Sequence, residues 1–385
     1  MTLDFSFSED QLAFAETIRG AAERDLRPMA DKAEETELCP MEVFPWAASL
    51  GILGLNFPPE YGGGGGDKVT SAMVVEALAY VNSGLAGTIM SQSGVATEAL
   101  YQHGTEEQRQ QYLPRTFAGE LVAAISLTEP EAGSDLSSVA TTATPDGDGY
   151  LLRGAKVFAS NATIADYICV LARIAGSSGR EGMTLFVLDT DNEGFIKGPH
   201  IKKLGHRSAD TGQFTLDNAW VPASAIIGEI GLGLDYAKEC LASGRIDFAA
   251  RCIGVSRAAY DYARQYAQER KQFSKSINKF QVNKFKFARM ATQLEAASTM
   301  TYKAASLYDQ KSPDAVQIAS MAKLFTSEVA QMVTWESLQI HGAYGYTREY
   351  PIEQLFRDAR LFTISEGTSE IQHIIIAKTL ELDSQ

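Results

Sequence analysis

Helical periodicity occupies both ends of this chain, and short strand-like runs fill its middle. Apolar residues three and four apart, with few helix breakers, predict long helices over 235–271, 279–310 and 314–341. After Leu121, short apolar or alternating runs are separated by Asp, Gly, Ser and Asn, which is typical of β-strands. Separate runs of helix and strand, rather than alternating βαβ units, favour an α+β fold.

The order of these patterns divides the chain into three predicted domains. We expect an N-terminal all-helical domain over 1–122, a middle β-barrel or sandwich-like domain over 123–232, and a C-terminal four-helix bundle over 233–385. The chain of 385 residues is long enough for two or three domains. A doubly wound nucleotide fold is disfavoured, because no G-x-G-x-x-G follows a predicted strand.

Two capping boxes mark helix starts in the first third of the chain. Ser-Glu-Asp-Gln begins at Ser8, and Thr-Glu-Glu-Gln begins at Thr105 and predicts a helix that runs to about Phe117. Between them, the spacing of apolar residues predicts helix over 71–81 and 93–102.

Charge and composition argue against several classes of protein. The 48 acidic residues outnumber the 34 basic ones and give a formal net charge of −14, which disfavours nucleic-acid binding. No stretch is long and apolar enough for a membrane span, and the acidic start lacks the features of a signal peptide, so we expect a cytoplasmic protein. The four cysteines and five histidines are dispersed without metal-ligand spacing, which predicts buried free cysteines and no metal site.

Two segments in the middle of the chain are candidates for binding a ligand. The polar turn Leu127–Asp135 offers hydroxyls and backbone N–H groups to polar ligand atoms, or it is a structured loop that opens the β-domain. Phe158 and Ser160 stand two apart on a predicted strand and face the same side. A ring and a hydroxyl so placed suit a flat heteroaromatic cofactor, whereas the alternative puts Phe158 in the core.

Two segments in the last third carry charged candidates. Arg270, in the segment Glu269–Ser274, is either a cation favoured at a helix C-terminus or a pyrophosphate ligand. Glu366 lies between apolar residues and the Gly-Thr-Ser turn that begins the final helix. It is either a poorly hydrated carboxylate or an exposed glutamate at a helix start.

Together, these segments closely resemble the acyl-CoA dehydrogenase family of flavoproteins over essentially the whole chain. The matching stretches are Gly104-Thr-Glu-Glu-Gln-Arg, Leu127–Asp135, Val221-Pro-Ala, Tyr266-Ala-Gln-Glu-Arg-Lys-Gln-Phe, Gln339-Ile-His-Gly-Ala-Tyr-Gly-Tyr, Arg357-Asp-Ala-Arg and Glu366-Gly-Thr-Ser.

The resemblance implies FAD-dependent oxidation of an acyl-CoA thioester to its trans-2-enoyl product. In this family a carboxylate removes the α-proton of the thioester, and the β-hydrogen leaves as hydride to the flavin N5. The base, the oxyanion donors and the hydride acceptor must therefore be held together in one site. Glu366 matches the family's base, whose own N–H and an FAD hydroxyl form the oxyanion hole. Some members carry the base one residue before the arginine that matches Arg245, but this chain has Gly244 there.

The resemblance also carries over binding residues one by one. Phe158 stands in place of a common Trp against the ring, and Ser160 in place of a Thr that reaches N5. The substrate-binding matches are Ser134, Leu241, Arg245 and Gly367. The cofactor-binding matches are Ile125, Leu127, Thr128, Gly133, Ser134, Phe158, Ser160, Arg270, Phe273, Phe280, Gln281, Gln339, Ala343, Thr368 and Glu370.

The family's assembly and partners are implied in the same way. The residues that match from Arg270 to Gln281 and from Gln339 to Ala343 contact the FAD of a neighbouring subunit in relatives, so we expect an oligomer, namely a homotetramer built as a dimer of dimers. An electron-transferring flavoprotein is the expected electron acceptor. An acyl-carrier-protein thioester, direct use of oxygen, or a cofactor-free binding protein remain alternatives. Gly87 and Gly94 are expected to leave room for a longer or bulkier acyl group.

Overall fold

The computed structural model describes residues 7–380 and confirms the α+β class, with helices, a β-sheet and helices again in chain order. Both capping boxes form as predicted, with Ser8 paired to Gln11 and Thr105 to Gln108. The N-terminal helices are α1 (Glu9–Ala21), α2 (Arg27–Thr36), α3 (Val43–Ser49), α4 (Lys68–Val81), α5 (Ser83–Ser91), α6 (Thr97–His103) and α7 (Glu106–Phe117).

Helix α5 is one of the elements of the first third that the sequence did not predict. Its sequence Ser-Gly-Leu-Ala-Gly-Thr-Ile-Met-Ser is rich in glycine and hydroxyl residues, which are weak helix formers. Residues 83–90 are all buried, so no amphipathic pattern marks the helix. A π-turn at Gln92–Ala96 joins α5 to α6, so the predicted helix 93–102 begins inside that turn.

The middle of the chain forms one eight-stranded sheet. Strands β6-β7-β3-β2-β4-β5-β8 lie in that order, and β1 pairs in parallel with β4. The strands are β1 (Ala123–Ser126), β2 (Thr142–Asp146), β3 (Gly149–Ser160), β4 (Tyr167–Ile174), β5 (Met183–Asp189), β6 (Phe195–His200), β7 (Thr211–Pro222) and β8 (Ile226–Ile227).

The last third is helical, and its three long helices begin and end within two residues of the predicted bounds. Helix α10 packs against α8, α9 and α12. A short hairpin, β9 (Lys271–Gln272) with β10 (Lys275–Ser276), follows α8. The helices are α8 (Gly233–Glu269), α9 (Gln281–Asp309), α10 (Ala315–His341), α11 (Ile352–Ala359) and α12 (Ser369–Thr379).

Two hydrophobic cores stabilise the fold. One is shared by the N-terminal helices and the sheet, and the other lies among the C-terminal helices and takes in Ala72, Val75 and Met90 from α4 and α5. Cys169, Cys240 and Cys252 are buried free thiols as expected, whereas Cys39 is half-buried. No helix within residues 7–380 is long and apolar enough to cross a membrane.

Candidate active site

Glu366 lies in the turn that joins the 3-10 turn Arg360–Thr363 to helix α12. Glu366 (φ 56°) and Gly367 (φ 83°) both adopt left-handed backbone conformations, which cost a non-glycine residue about 1–3 kcal/mol. Gln372 Nε2 donates to the carbonyl oxygens of Glu366 (2.9 Å) and Gly367 (3.1 Å), and Lys323 Nζ donates to that of Gly367 (2.7 Å). Side chains from α10 and α12 therefore hold this strained turn in place.

The Glu366 carboxylate points towards helix α8. Its Oε2 is buried without a hydrogen-bond partner, and a Cβ at Gly244 would lie 3.6 Å from it. The residue as a whole is only half-buried, so its exposure belongs to other atoms. Burial raises the pKa of Glu366, while Arg245, Lys323 and Arg251 oppose the rise. The alternative of an exposed glutamate at a helix start is therefore wrong, and the carboxylate is suited to accept a proton.

Three buried cations surround this carboxylate. Arg245, Arg251 and Lys323 are 5%, 6% and 0% exposed. Burial lowers the pKa of Arg251 to about 10 and that of Lys323 to about 8, and Arg245 Nε is buried without a hydrogen-bond partner. The local positive charge suits a site in which negative charge develops on a substrate oxygen.

A cavity of about 90 Å³ lies beside Glu366 and reaches the β-sheet. Ser365 and Glu366 line one side of it, Ser160 of β3 lines another, and Phe248 and Arg251 of α8 complete it. The predicted base and the hydroxyl predicted to lie beside a flavin therefore face the same cavity.

Gly87 of α5 also lines this cavity, but it does not widen it. A Cβ at Gly87 would lie 2.6 Å from the guanidinium of Arg251, so that side chain already fills the space next to the glycine. The expectation that Gly87 leaves room for a longer or bulkier acyl group is therefore wrong. Gly94, in the π-turn, has no atom within 4 Å of the position that a Cβ would take.

Phe158 and Ser160 face outward from the end of strand β3. Phe158 is 65% exposed and Ser160 is exposed, while Ala159 between them is buried. A β-bulge between Lys156 and Ala159 gives Phe158 a left-handed φ of 57°. The alternative that places Phe158 in the core is wrong, and its ring is free to pack against a ligand.

The polar turn that begins at Leu127 is fastened to this end of β3. The backbone N–H of Val157 donates to the Thr128 oxygen at 3.1 Å, and Lys156 Nζ donates to the Leu127 oxygen at 3.2 Å. Lys156 also forms a buried ion pair with Glu129 at 2.8 Å. The two candidate segments in the middle of the chain therefore lie side by side.

The other residues predicted to bind near the flavin or the thioester lie around these elements. Ile125 on β1 and Leu241 on α8 are half-buried. The hydroxyl of Thr368 accepts from the N–H of Ile371 and caps α12. The exposed positions are Gly133, Ser134 and Glu370.

A second group of predicted cofactor residues lies far from Glu366 in the same chain. Arg270 is the C-cap of α8, about 39 Å from Gly244 along the helix axis at a rise of about 1.5 Å per residue. The Arg270 Cζ lies 5.7 Å from the centroid of the Tyr344 ring, and the Phe273 and Phe280 ring centroids are 6.1 Å apart. Around this end of α8, the exposed members of the group are Arg270, Phe273, Gln281, Gln339 and Ala343, and Phe280 is half-buried.

Arg251 and Lys323 belong to the site but were not predicted from the sequence. Each is a single charge inside an apolar helical run, Phe-Ala-Ala-Arg-Cys-Ile and Met-Ala-Lys-Leu-Phe. A charge on the buried side of a helix is uncommon unless it is paired. These isolated charges could have marked Arg251 and Lys323 as candidate site residues, but they do not indicate which ligand the charges would bind.

The residues around the cavity fit a flavin. An outward-facing aromatic ring with an exposed hydroxyl two residues on can pack against and hydrogen-bond a flat polar ring, and the Leu127–Asp135 turn beside them offers further polar groups. Glu366, whose Oε2 is buried without a hydrogen-bond partner, lines the same cavity as Ser160. Within residues 7–380, no group of three or more His, Cys, Asp or Glu is arranged to hold a metal ion.

Comparison with known proteins gives the same assignment along the whole chain. Three family profiles match: "Acyl-CoA dehydrogenase, N-terminal domain" over residues 8–120, the middle domain over 124–219 and the C-terminal domain over 231–381. A 3-(aryl)acrylate reductase of Clostridium sporogenes is 41% identical over 97% of this chain and 99% of its own length. The caffeyl-CoA reductase-Etf complex subunit CarC of Acetobacterium woodii is 38% identical over 97% of this chain and 99% of its own length.

Two solved structures also match nearly the whole chain. Butyryl-CoA dehydrogenase from Megasphaera elsdenii superposes with a TM-score of 0.95 at 36% identity, covering 98% of this chain and 100% of that one. An acyl-CoA dehydrogenase from Bacillus anthracis complexed with FAD has a TM-score of 0.93 at 31% identity, covering 100% of this chain and 70% of that one. The chain therefore belongs to the acyl-CoA dehydrogenase family, and it is an FAD-dependent oxidoreductase that dehydrogenates acyl-CoA thioesters.

Proposed function

We propose that Glu366 is the general base that removes the α-proton of the acyl thioester. The observation that carries this proposal is the buried Oε2 without a hydrogen-bond partner, on a residue that lines the same cavity as Ser160. A desolvated carboxylate with a raised pKa is a stronger base than one in water. Bound FAD supplies the acceptor for the β-hydrogen, which leaves as hydride.

The left-handed turn at Glu366 also supports a role for its backbone. Within residues 7–380, no acceptor pairs with the N–H of Glu366, so this donor is free for the thioester oxygen. Arg245 and Lys323 add positive charge near the position where the enolate forms. In this proposal Phe158 and Ser160 hold the flavin, with Ile125, Leu127, Thr128, Gly133 and Ser134 beside them, and Leu241 and Gly367 contact the substrate.

The proposed assembly is a homotetramer in which the end of α8 completes a neighbour's cofactor site. Phe273 is 88% exposed beside Arg270, far from Glu366 of its own chain. Helices α9 and α10 also carry an open groove of about 970 Å³ that includes Ala296, Met300 and Met321, an apolar face suited to a second copy. An electron-transferring flavoprotein is the proposed electron acceptor, since the relative CarC is named as a subunit of an Etf complex.

Anaerobic flavin bleaching tests the base. We expect Glu366→Gln to keep its FAD and yet be reduced by butyryl-CoA at least about 100-fold more slowly, because general bases contribute on that scale. Glu328→Gln changes an exposed glutamate on α10 and should be reduced like the unmodified enzyme. Undiminished reduction of Glu366→Gln would mean that another group removes the proton.

A further inference from the structure

Arg251 of α8 is a buried guanidinium with unused donors. It is 6% exposed, and its Nε donates to Ser83 Oγ at 3.0 Å. Within residues 7–380, neither Nη1 nor Nη2 has a hydrogen-bond acceptor, and no carboxylate lies within the 4.0 Å of an ion pair. Asp358 and Glu366 attract its charge only from a greater distance.

The surroundings of Arg251 fix its orientation and leave one edge free. Ser83 Oγ lies 2.9 Å from His206 Nε2, so the group that holds Arg251 Nε is itself held. The ring centroids of Phe248 and Phe362 lie 5.8 Å and 5.7 Å from the Arg251 Cζ, within cation–π range. The anchored Nε edge and the flanking rings leave the two terminal amines as the free donors.

The guanidinium reaches the cavity beside Glu366 only because residue 87 is glycine. Arg251, Gly87 and Glu366 all line that cavity, and a Cβ at Gly87 would lie 2.6 Å from Cζ and from both terminal amines. A side chain at position 87 would thus compete with the guanidinium for the same space. The proposed base and an unpaired cation from helix α8 therefore line one cavity.

A buried cation without a partner costs several kcal/mol, so the fold alone gains little from keeping it there. A carboxylate offers two oxygens that match the fork of terminal amines and would neutralise the charge in a water-poor site. We propose that Arg251 binds a carboxylate at the far end of the acyl group, so that the substrates of this enzyme are CoA thioesters of short dicarboxylic acids.

This substrate class rests on the proposed function, since it assumes that the acyl group lies beside Glu366. The volume of the cavity supports a short acyl group. It is about 90 Å³, roughly three times the volume of a water molecule in the liquid.

Matched pairs of substrates test the proposal on the unmodified holoenzyme. Butyryl-CoA is compared with succinyl-CoA, and pentanoyl-CoA with glutaryl-CoA, so that each pair differs only in a terminal methyl or carboxylate. We expect kcat/KM for flavin reduction to be about 10- to 100-fold higher with the carboxylate, as for a charge-assisted hydrogen-bonded pair. Equal values, or a preference for the methyl-ended substrates, would overturn the proposal.

Two variants separate Arg251 from a general effect of charge. Arg251→Gln should lower kcat/KM for succinyl-CoA and glutaryl-CoA and leave kcat/KM for butyryl-CoA and pentanoyl-CoA unchanged. The preference for the carboxylate-ended substrates would then be lost. Arg264→Gln removes an exposed arginine from the same helix and should keep the preference. If Arg251→Gln lowers kcat/KM equally for the methyl-ended and the carboxylate-ended substrate of a pair, Arg251 does not recognise the carboxylate. If that variant does not retain FAD, the preference of the unmodified enzyme still decides.

The same measurements distinguish this proposal from the proposed function. Bleaching by methyl-ended acyl-CoAs alone would overturn the role of Arg251 and leave Glu366 as the base. Failure of every acyl-CoA to reduce the FAD-loaded protein would overturn both.

Discussion

Glu366 has a strained backbone conformation, and the side chains that hold this turn do not donate hydrogen bonds to its carboxylate. A left-handed conformation at a non-glycine residue persists only where the surroundings hold it, and here Lys323 and Gln372 accomplish that through backbone oxygens. Neither side chain donates to the carboxylate, so Oε2 stays free. In the proposed mechanism, the backbone of this turn is held by Lys323 and Gln372, and the side-chain carboxylate of Glu366 is left to accept the proton.

Gly244 allows a test of whether activity depends on where the carboxylate lies in space, and not on which residue carries it. A Cβ at Gly244 would lie 3.6 Å from Glu366 Oε2 and 3.0 Å from Val95 Cγ2, so a glutamate fits there with a small shift of Val95. We expect Gly244→Glu in a Glu366→Gly background to recover about tenfold or more of the lost rate of flavin reduction, because a carboxylate returns to the same space.

The control for this relocation is Gly244→Gln in the same background, which supplies the same bulk without a base. It should stay as slow as Glu366→Gly. Equal rates for the glutamate and glutamine variants would show that α8 cannot supply a base from this position.

Helices α4 and α8 are joined by a buried ion pair between distant parts of the chain. Lys68 Nζ lies 2.7 Å from Asp247 Oδ2, with the two side chains 3% and 6% exposed. Lys68→Met leaves the Asp247 charge buried and unpaired, so we expect the free energy of unfolding to fall by about 3–5 kcal/mol. Urea denaturation of the FAD-bound enzyme measures the loss.

The matched control for this prediction is the double variant Lys68→Met/Asp247→Leu, which removes both charges and should be closer to the unmodified enzyme than Lys68→Met alone. The exposed pair Arg24–Asp25, with Arg24 70% exposed, gives a second comparison, since its loss should leave the urea midpoint nearly unchanged. Lys68→Met denaturing at the unmodified midpoint would mean that the pair does not stabilise the helix packing.

At the level of elements, the sequence predicted what has a periodic pattern and missed what does not. The three long helices of the C-terminal part were predicted because apolar residues recur along them. Helix α5 was missed because burial on all sides removes amphipathicity. The sequence predicted strands after Leu121 without their bounds, since runs of four or five residues such as β1 and β2 are too short for a clear pattern.

The candidate site was predicted to the extent that its residues lie in recognisable motifs. Glu366, Phe158 and Ser160 were named from such segments, and two of them line one cavity. Arg251 and Lys323 were not named, because their approach to Glu366 depends on the packing of α8 and α10 rather than on neighbours in sequence. Spatial proximity between distant segments is what the single sequence could not supply.

Within one chain, the proposed cofactor residues near Glu366 lie far from those near Arg270. A single bound FAD would need both groups. Glu366 and Arg270 lie near opposite stretches of α8, a single continuous helix of 37 residues, so no bend brings them to one site. The proposed contribution of Arg270 to a neighbour's FAD would resolve this separation. It would also make each site dependent on two chains, which can be tested with oligomers that combine two different inactivating substitutions.

Co-expression of Glu366→Gln with Arg270→Ala, under separate tags, provides that test. Alone, Glu366→Gln lacks the base in every site, and Arg270→Ala weakens FAD binding in every site. In a mixed oligomer, a subunit with Arg270→Ala keeps Glu366 and receives an intact Arg270 from its Glu366→Gln partner, so that site is complete. We therefore expect doubly tag-purified oligomers to be bleached by acyl-CoA faster than either parent. If Arg270 served its own chain, each subunit of the mixture would keep its single defect, and mixed oligomers would be no faster than the average of their parents.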